Sequence, residues 1–182
     1  TITLSGAGSQ TVTNPSGEAF NNLIINNSFA TSPQITFNNA VTVIGTLTMT
    51  DGNVNLSSNT FTLGSSTASP GTLSHPLAST NGWMYGGTIQ RYFTAGTTIT
   101  VGTVAGFFPM GRAADVKPLF LGKNNVANRG GLLSRSYNNT NESTSDVSIA
   151  DDIGTIIRRH NSFWTSAIVS GFSAGTFSIR AG

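Results

Sequence analysis

Short alternating apolar pairs, joined by turn-forming residues, constrain this chain more than any other feature. Between residues 20 and 64 they read Leu23/Ile25, Ile35/Phe37, Val41/Val43, Leu47/Met49, Val54/Leu56 and Phe61/Leu63. Alternation of this kind marks half-buried strands. From Ile35 on, the pairs recur every six or seven residues, too tightly for ordinary sandwich strands. Three such strands per turn make a β-helix coil of about twenty residues, within the range of solenoid repeats. Twenty residues separate Leu23 from Val43, and Val43 from Leu63. These three are therefore expected to stack in one inward row. The links NN, NNS, DGN and SSN are turn-formers, because Asn and Gly tolerate left-handed backbone and Ser and Asn bond their own backbone. Asn at the corners is expected to stack into ladders, amide on amide. The alternative for this stretch is a β-sandwich with short hairpins.

Three to four coils is near the minimum for a stable stack, so the second half is expected to cap the open end. The stretch SSTASPGTLSHPLAST, residues 65–80, is rich in Pro, Ser and Thr and reads as the connector. From residue 83 the strand-like runs lengthen: WMYGGTIQRYF, TTITV, VKPLFL, GLLSRSY, TIIRRHNSFWTSAIV and GTFSIRA. They alternate apolar, β-branched and aromatic residues between Gly and Asn turns. The expected fold is all-β: a short parallel β-helix over residues 1–78, then an antiparallel β-sandwich-like domain over 79–182.

Composition supports folding without much help from charge. Charged residues make up 9% of the 182 residues, against roughly 25% in ordinary soluble domains. Ser, Thr, Asn and Gly fill nearly half the chain. Abundant Thr, Val, Ile and Phe favour strands and argue against disorder. With no cysteine, disulfides and thiol catalysis are excluded. Neither a signal peptide nor an 18-residue apolar span can be read. Both ends lie in strand-like text, which suggests a piece of a longer polypeptide. All nine Lys and Arg lie from Arg91 onward, while residues 1–90 carry only Glu18 and Asp51. The cations are mostly single, so no nucleic-acid footprint forms.

The order of the segments carries a resemblance. Coils containing NNLIINN and GNVNLSSNTFTLG are followed by GWMYGGTIQRYF, TVAGFFPMG, VKPLFL, HNSFWT and a closing GTFSIR strand. This order resembles a recurrent region of large secreted surface proteins of Bacteroidota, in which a β-helix-like section precedes segments of the type GyVnGplkR, FPvG, yrPltl and yW. The counterparts here are Gly82 to Arg91, then Phe108, Pro109, Met110 and Gly111, then Lys117, Pro118 and Leu119, then Phe163 and Trp164. The resemblance covers most of residues 20–182. Such proteins are similar to gliding and adhesion proteins exported by the type IX secretion route, whose usual sorting domain is not in this chain. The resemblance implies a cell-surface location and a structural or adhesive role, and no catalytic residues.

The candidate contact residues are Trp83, Tyr85, Phe107, Phe108 and Trp164. FFPMG reads as a strand end and corner, with Pro109 ending a strand and Gly111 turning the chain on positive φ. One Phe should enter the core and the other cover an edge. Trp83, Tyr85, Tyr92 and Trp164 could offer a sugar-stacking platform, although large aromatics mostly serve cores and edges. Arg158, Arg159 and His160 near Asp151 and Asp152 suggest a polysaccharide-active enzyme only weakly, because no acid/base pair can be nominated. Glu142, Asp146, Asp151 and Asp152 match no known calcium-loop spacing, and His75 and His160 are too isolated for zinc. The N-x-[ST] matches at Asn26, Asn55, Asn138 and Asn141 read as chance. No enzyme activity, cofactor or metal is expected. The expected role is a non-catalytic structural and adhesive module at the cell surface, able to assemble into an extracellular filament. Its expected partners are other copies, neighbouring domains or surface glycans, without nucleic acid or membrane insertion. The alternatives are a carbohydrate-binding module, a polysaccharide-active enzyme and a viral fibre.

Overall fold

A computed structural model describes residues 1–77, 82–124, 131–138, 149–151, 154–156, 163–172 and 177–181. The first three strands, β1 (Ile2–Gly6), β2 (Gln10–Val12) and β3 (Glu18–Phe20), form one coil. The second coil is β4 (Leu23–Asn27), β5 (Ile35–Phe37) and β6 (Val41–Val43). The third is β7 (Thr46–Asp51), β8 (Val54–Asn55) and β9 (Thr60–Leu63). The fourth is β10 (Thr72–Ser74), β11 (Met84–Tyr85) and β12 (Thr88–Phe93). Each coil adds one strand to each of three parallel faces, ordered β1-β4-β7-β10, β2-β5-β8-β11 and β3-β6-β9-β12. The chain is an all-β protein with a four-coil parallel solenoid.

Every alternating pair of the second and third coils points inward. Leu23, Ile25, Ile35, Phe37, Val43, Met49 and Val54 are fully buried, and Val41, Leu47, Leu56, Phe61 and Leu63 nearly so. Between them sit Thr36, Thr42, Thr48 and Thr62, half-buried on the outer face, where β-branched residues suit the pleat. The inward rows differ from the expected one. Leu23 lies on the first face, in register with Leu47, whereas Val43 and Leu63 pair on the third. Corner lengths explain the error. Partners Leu23 and Leu47 are 24 residues apart, Ile35 and Val54 19, and Val41 and Phe61 20. A mean period of twenty does not fix which residues stack when the corners vary.

The corner amides also behave differently from the expected ladder. Mostly they bond backbone of an adjacent coil rather than each other. Thr46 N–H donates to Asn22 Oδ1 at 2.8 Å, Asn53 N–H to Gln34 Oε1 at 2.8 Å, and Asn14 N–H to Asn39 Oδ1 at 3.1 Å. Corners leave backbone donors without a strand partner, and a buried donor must be matched. The amides meet that need first. A side-chain pair of the expected kind is Asn27 Nδ2 to Gln10 Oε1 at 2.9 Å.

The stretch 65–80, read as connector, contains β10, which pairs parallel with β7. Its lone inward residue, Leu73, gives no alternation to read. The fourth coil then continues through β11 and β12, so parallel pairing crosses the expected division at 78/79 and reaches Arg91.

Beyond β12 the chain switches to antiparallel pairing. A 3-10 turn, Val104–Gly106, leads into β13 (Phe107–Phe108), then β14 (Leu119–Lys123), β15 (Gly131–Asn138), a small hairpin of β16 (Ile149–Asp151) and β17 (Gly154–Ile156), then β18 (Phe163–Ser170) and β19 (Phe177–Ala181). β15 pairs antiparallel with β12, and β18 with β15, so the third solenoid face runs on into a six-stranded sheet. The sheet β13-β14-β19 packs across it to make the sandwich. Phe93 and Phe108 meet between the two sheets with ring centroids 6.2 Å apart. One apolar cluster joins Leu23 in the second coil to Leu121 and Leu133 in the sandwich. Among the described residues no helix is long and apolar enough to cross a membrane.

Candidate functional site: a cleft at the junction of solenoid and sandwich

FFPMG closes the solenoid. Met84 N–H donates to Pro109 O at 2.8 Å and Gly111 N–H to Met84 O at 3.0 Å. Met110 thus lies beside β11 as a parallel bridge and covers the last edge of the second face. Pro109 can sit there because its carbonyl, not its missing N–H, makes the bond. Both phenylalanines are core residues, Phe107 at 1% and Phe108 at 0% exposure. The expected edge position for one of them is corrected by this burial. Adjacent strand residues point to opposite faces, and here both faces of β13 are covered. Phe107 meets His75 at 4.8 Å and Phe120 at 4.9 Å. Phe108 meets Phe93 and lies under the guanidinium carbons of Arg91 and Arg135, 5.7 Å and 5.1 Å from its centroid.

Gly111 is needed for close approach. A Cβ there would meet Trp83 Cδ1 at 2.9 Å and press on Asp115 O. The positive φ expected of it is not among the glycines that have one. The segment that follows, 111–118, is fastened by both tryptophans. Trp83 Nε1–H donates to Arg112 O at 2.7 Å and Trp164 Nε1–H to Lys117 O at 3.0 Å. Within it, Arg112 grips Asp115 through Nε at 2.6 Å and Nη2 at 2.7 Å, and Lys117 adds a contact of 3.1 Å. The Arg112 hydrogen bonds, then those of Lys117, hold the Asp115 carboxyl down at about 2.

Beside this segment opens a cleft of about 510 Å³. Tyr85 and Tyr137 line it, with Arg112 on the 111–118 side and Ser58, Thr88 and Ser136 supplying hydroxyls. Gly86 and Gly87 form part of its wall. They are glycines because the third coil presses on them: a Cβ on Gly86 would stand 2.7 Å from Asn55 Oδ1, and one on Gly87 2.6 Å from Leu56 Cβ. The wall is therefore bare backbone. Ser58, which lines the cleft, and its neighbour Ser57 have φ of 68° and 49°, the left-handed region that strains a non-glycine residue and recurs at binding sites.

The expected aromatics thus gather at one junction in unequal roles. Trp83 is 6% exposed, so its ring serves as a clamp and not as a stacking platform. Trp164 is half-buried and edge-on to Tyr137 at 5.2 Å. Tyr85 is half-buried on the cleft wall. Tyr137 was not anticipated, although GLLSRSY alternates and places it on the face of Leu133 and Arg135. Tyr92 lies instead at a second opening, near Thr94 and Thr97. Arg158, Arg159, His160, Glu142, Asp146 and Asp152 lie outside the described residues. Glu18, Asp51 and Asp115 are engaged in their own turns. His75 Nε2 lies 2.7 Å from Gly82 O, and burial lowers its pKa. No family model, curated protein or solved structure matches the chain.

Proposed function

We propose that this chain is a non-catalytic structural and adhesive module of a bacterial cell-surface protein. The observation that carries the reading is the unbroken core that runs from the second coil into the capping sandwich. A solenoid sealed in this way is a stiff spacer, because each coil contacts only its neighbours. Its polar, weakly charged exterior keeps its properties as ionic strength changes. The segment order described above, similar to that of type IX-exported adhesion proteins, agrees with an extracellular location.

The other end of the stack favours assembly. β1, β2 and β3 are end strands of the three faces, and Leu4, Val12 and Phe20 are only partly buried there. Strand edges recruit further strands, from a longer chain or from a second copy, and a second copy is the proposed recruit. Negative-stain electron microscopy across a concentration series tests this, with end-to-end rods expected. Compact monomers at every concentration would remove self-assembly.

A second reading, carbohydrate binding, is favoured by the cleft. Tyr85 and Tyr137 put phenol rings beside hydroxyls, an arginine and bare backbone, a mixture suited to neutral sugars. A glycan array followed by titration calorimetry tests it. Tyr85→Ala should abolish binding and leave the melting temperature nearly unchanged. An array without hits would remove this reading and leave the spacer role.

A further inference from the structure

The sandwich has an apolar groove of about 230 Å³ between its two sheets. Ile168 of β18 and Ile179 of β19 form its walls, and Phe172 and Phe177 lie against each other at 5.5 Å along it. β18 and β19 are end strands of their sheets. Ile168 is 56% exposed and Ile179 59%. Large aliphatic residues exposed together mark a contact surface.

A cation sits in this groove. Arg135 lines it and is only 2% exposed. Its Nη1–H donates to the Ser166 hydroxyl, on the β18 wall. Its Nε–H has no hydrogen-bond partner, and its guanidinium carbon rests over Phe108. Arg91, also buried and also with an unpartnered Nε–H, differs in that its Nη1 donates to the carbonyls of Phe107 and Val104. No described carboxylate accompanies Arg135. A buried charge calls for a counter-charge, and an unmet buried donor calls for an acceptor. Burial lowers the Arg135 pKa to about 10, which leaves it a cation at neutral pH.

We infer that this groove binds an aliphatic carboxylate, a medium-chain fatty-acid anion whose head pairs with Arg135 and whose tail lies between Ile168 and Ile179. Guanidinium and carboxylate match as planar partners, and the aliphatic walls match the tail. At about 30 Å³ per water-sized group, the groove holds roughly eight heavy atoms, the size of a six-carbon acid, so octanoate fills it and leaves about two carbons at its open mouth.

Octanoate, octanol and acetate are the probes, read by thermal shift and calorimetry on the whole chain. Octanoate should raise the melting temperature by about 5–10 °C at roughly a hundredfold excess over Kd, whereas octanol and acetate should do little. Arg135→Met keeps the stem over Phe108 and removes the charge, and should abolish the octanoate shift. Ile179→Ser, at an exposed position that leaves folding intact, should weaken octanoate several-fold. Equal shifts from octanol and octanoate, or an octanoate shift that survives in Arg135→Met, would overturn the inference. Self-association that Ile179→Ser abolishes, with no octanoate effect, would overturn it too and assign the groove to a second copy.

Discussion

Asp115 carries the ionic organisation of the segment 111–118, and its titration gives a direct test. Its pKa drops from 3.8 to about 2 in the folded chain. Between those values the unfolded chain binds more protons than the folded one, so stability falls as pH falls. The contribution is present in full above 3.8 and is lost as pH drops through about 2. Wild type should therefore melt above Asp115→Asn by a constant margin from neutral pH to about 4, and the margin should close by about pH 2. A margin independent of pH down to that limit would show that the carboxylate acts by packing alone. Gly111 makes a sterner demand on the same segment. In Gly111→Ala the new methyl group meets Trp83 and Asp115 O, and overpacking of this kind costs about 1–3 kcal/mol. Denaturant unfolding should report that loss, with a shift in Trp83 emission. The Pro and Gly of FFPMG made a corner legible in the sequence. The burial of both phenylalanines was not, because alternation says which faces two residues take and not whether both faces are covered.

The coil is the element on which stability rests, and Leu47 is a fair probe of it. Leu47 is 1% exposed and lies in register between Leu23 and Leu73. Leu47→Ala should cost about 2–5 kcal/mol, since a truncated core leucine loses transfer energy and leaves a cavity. Thr48→Ala, one residue on and facing outward, should stay within about 0.5 kcal/mol. Equal costs at the two positions would contradict the inward assignment. At this scale the sequence was legible where each strand carried two inward apolar residues, as in Leu23/Ile25 or Phe61/Leu63. It failed at β10, where Leu73 alone points inward and Pro70 and Pro76 flank it. The inward rows were misassigned because corner length, unlike strand pattern, carries no period. The cleft was half legible. Trp83, Tyr85 and Trp164 stood out as large aromatics, but Tyr137 reaches the site through the β12–β15 pairing, which brings residues distant in sequence side by side.

At the scale of the whole molecule, β12 belongs to both architectures. It pairs parallel with β9 of the third coil and antiparallel with β15 of the sandwich. Met110, from the far side of β12, closes the second face over Met84. Solenoids can unravel coil by coil, since each repeat is stabilised mainly by its neighbours. Here the fourth coil cannot open without exposing Met84, Ile89 and Phe93 and stripping the sandwich of the strand that ties it to the solenoid. Solenoid and sandwich should therefore unfold in one transition. Tryptophan emission reports on the junction through Trp83 and Trp164, and far-UV circular dichroism reports mainly on the strands. Their urea curves should coincide in midpoint and slope. Two separated transitions, with emission moving first, would mean that the cap detaches as a unit and that the shared strand does not couple the halves. The same curves should move little between low salt and about 1 M sodium chloride, where the Debye length falls to ~3 Å. The coupling runs through buried apolar side chains and strand hydrogen bonds, and screening does not reach them.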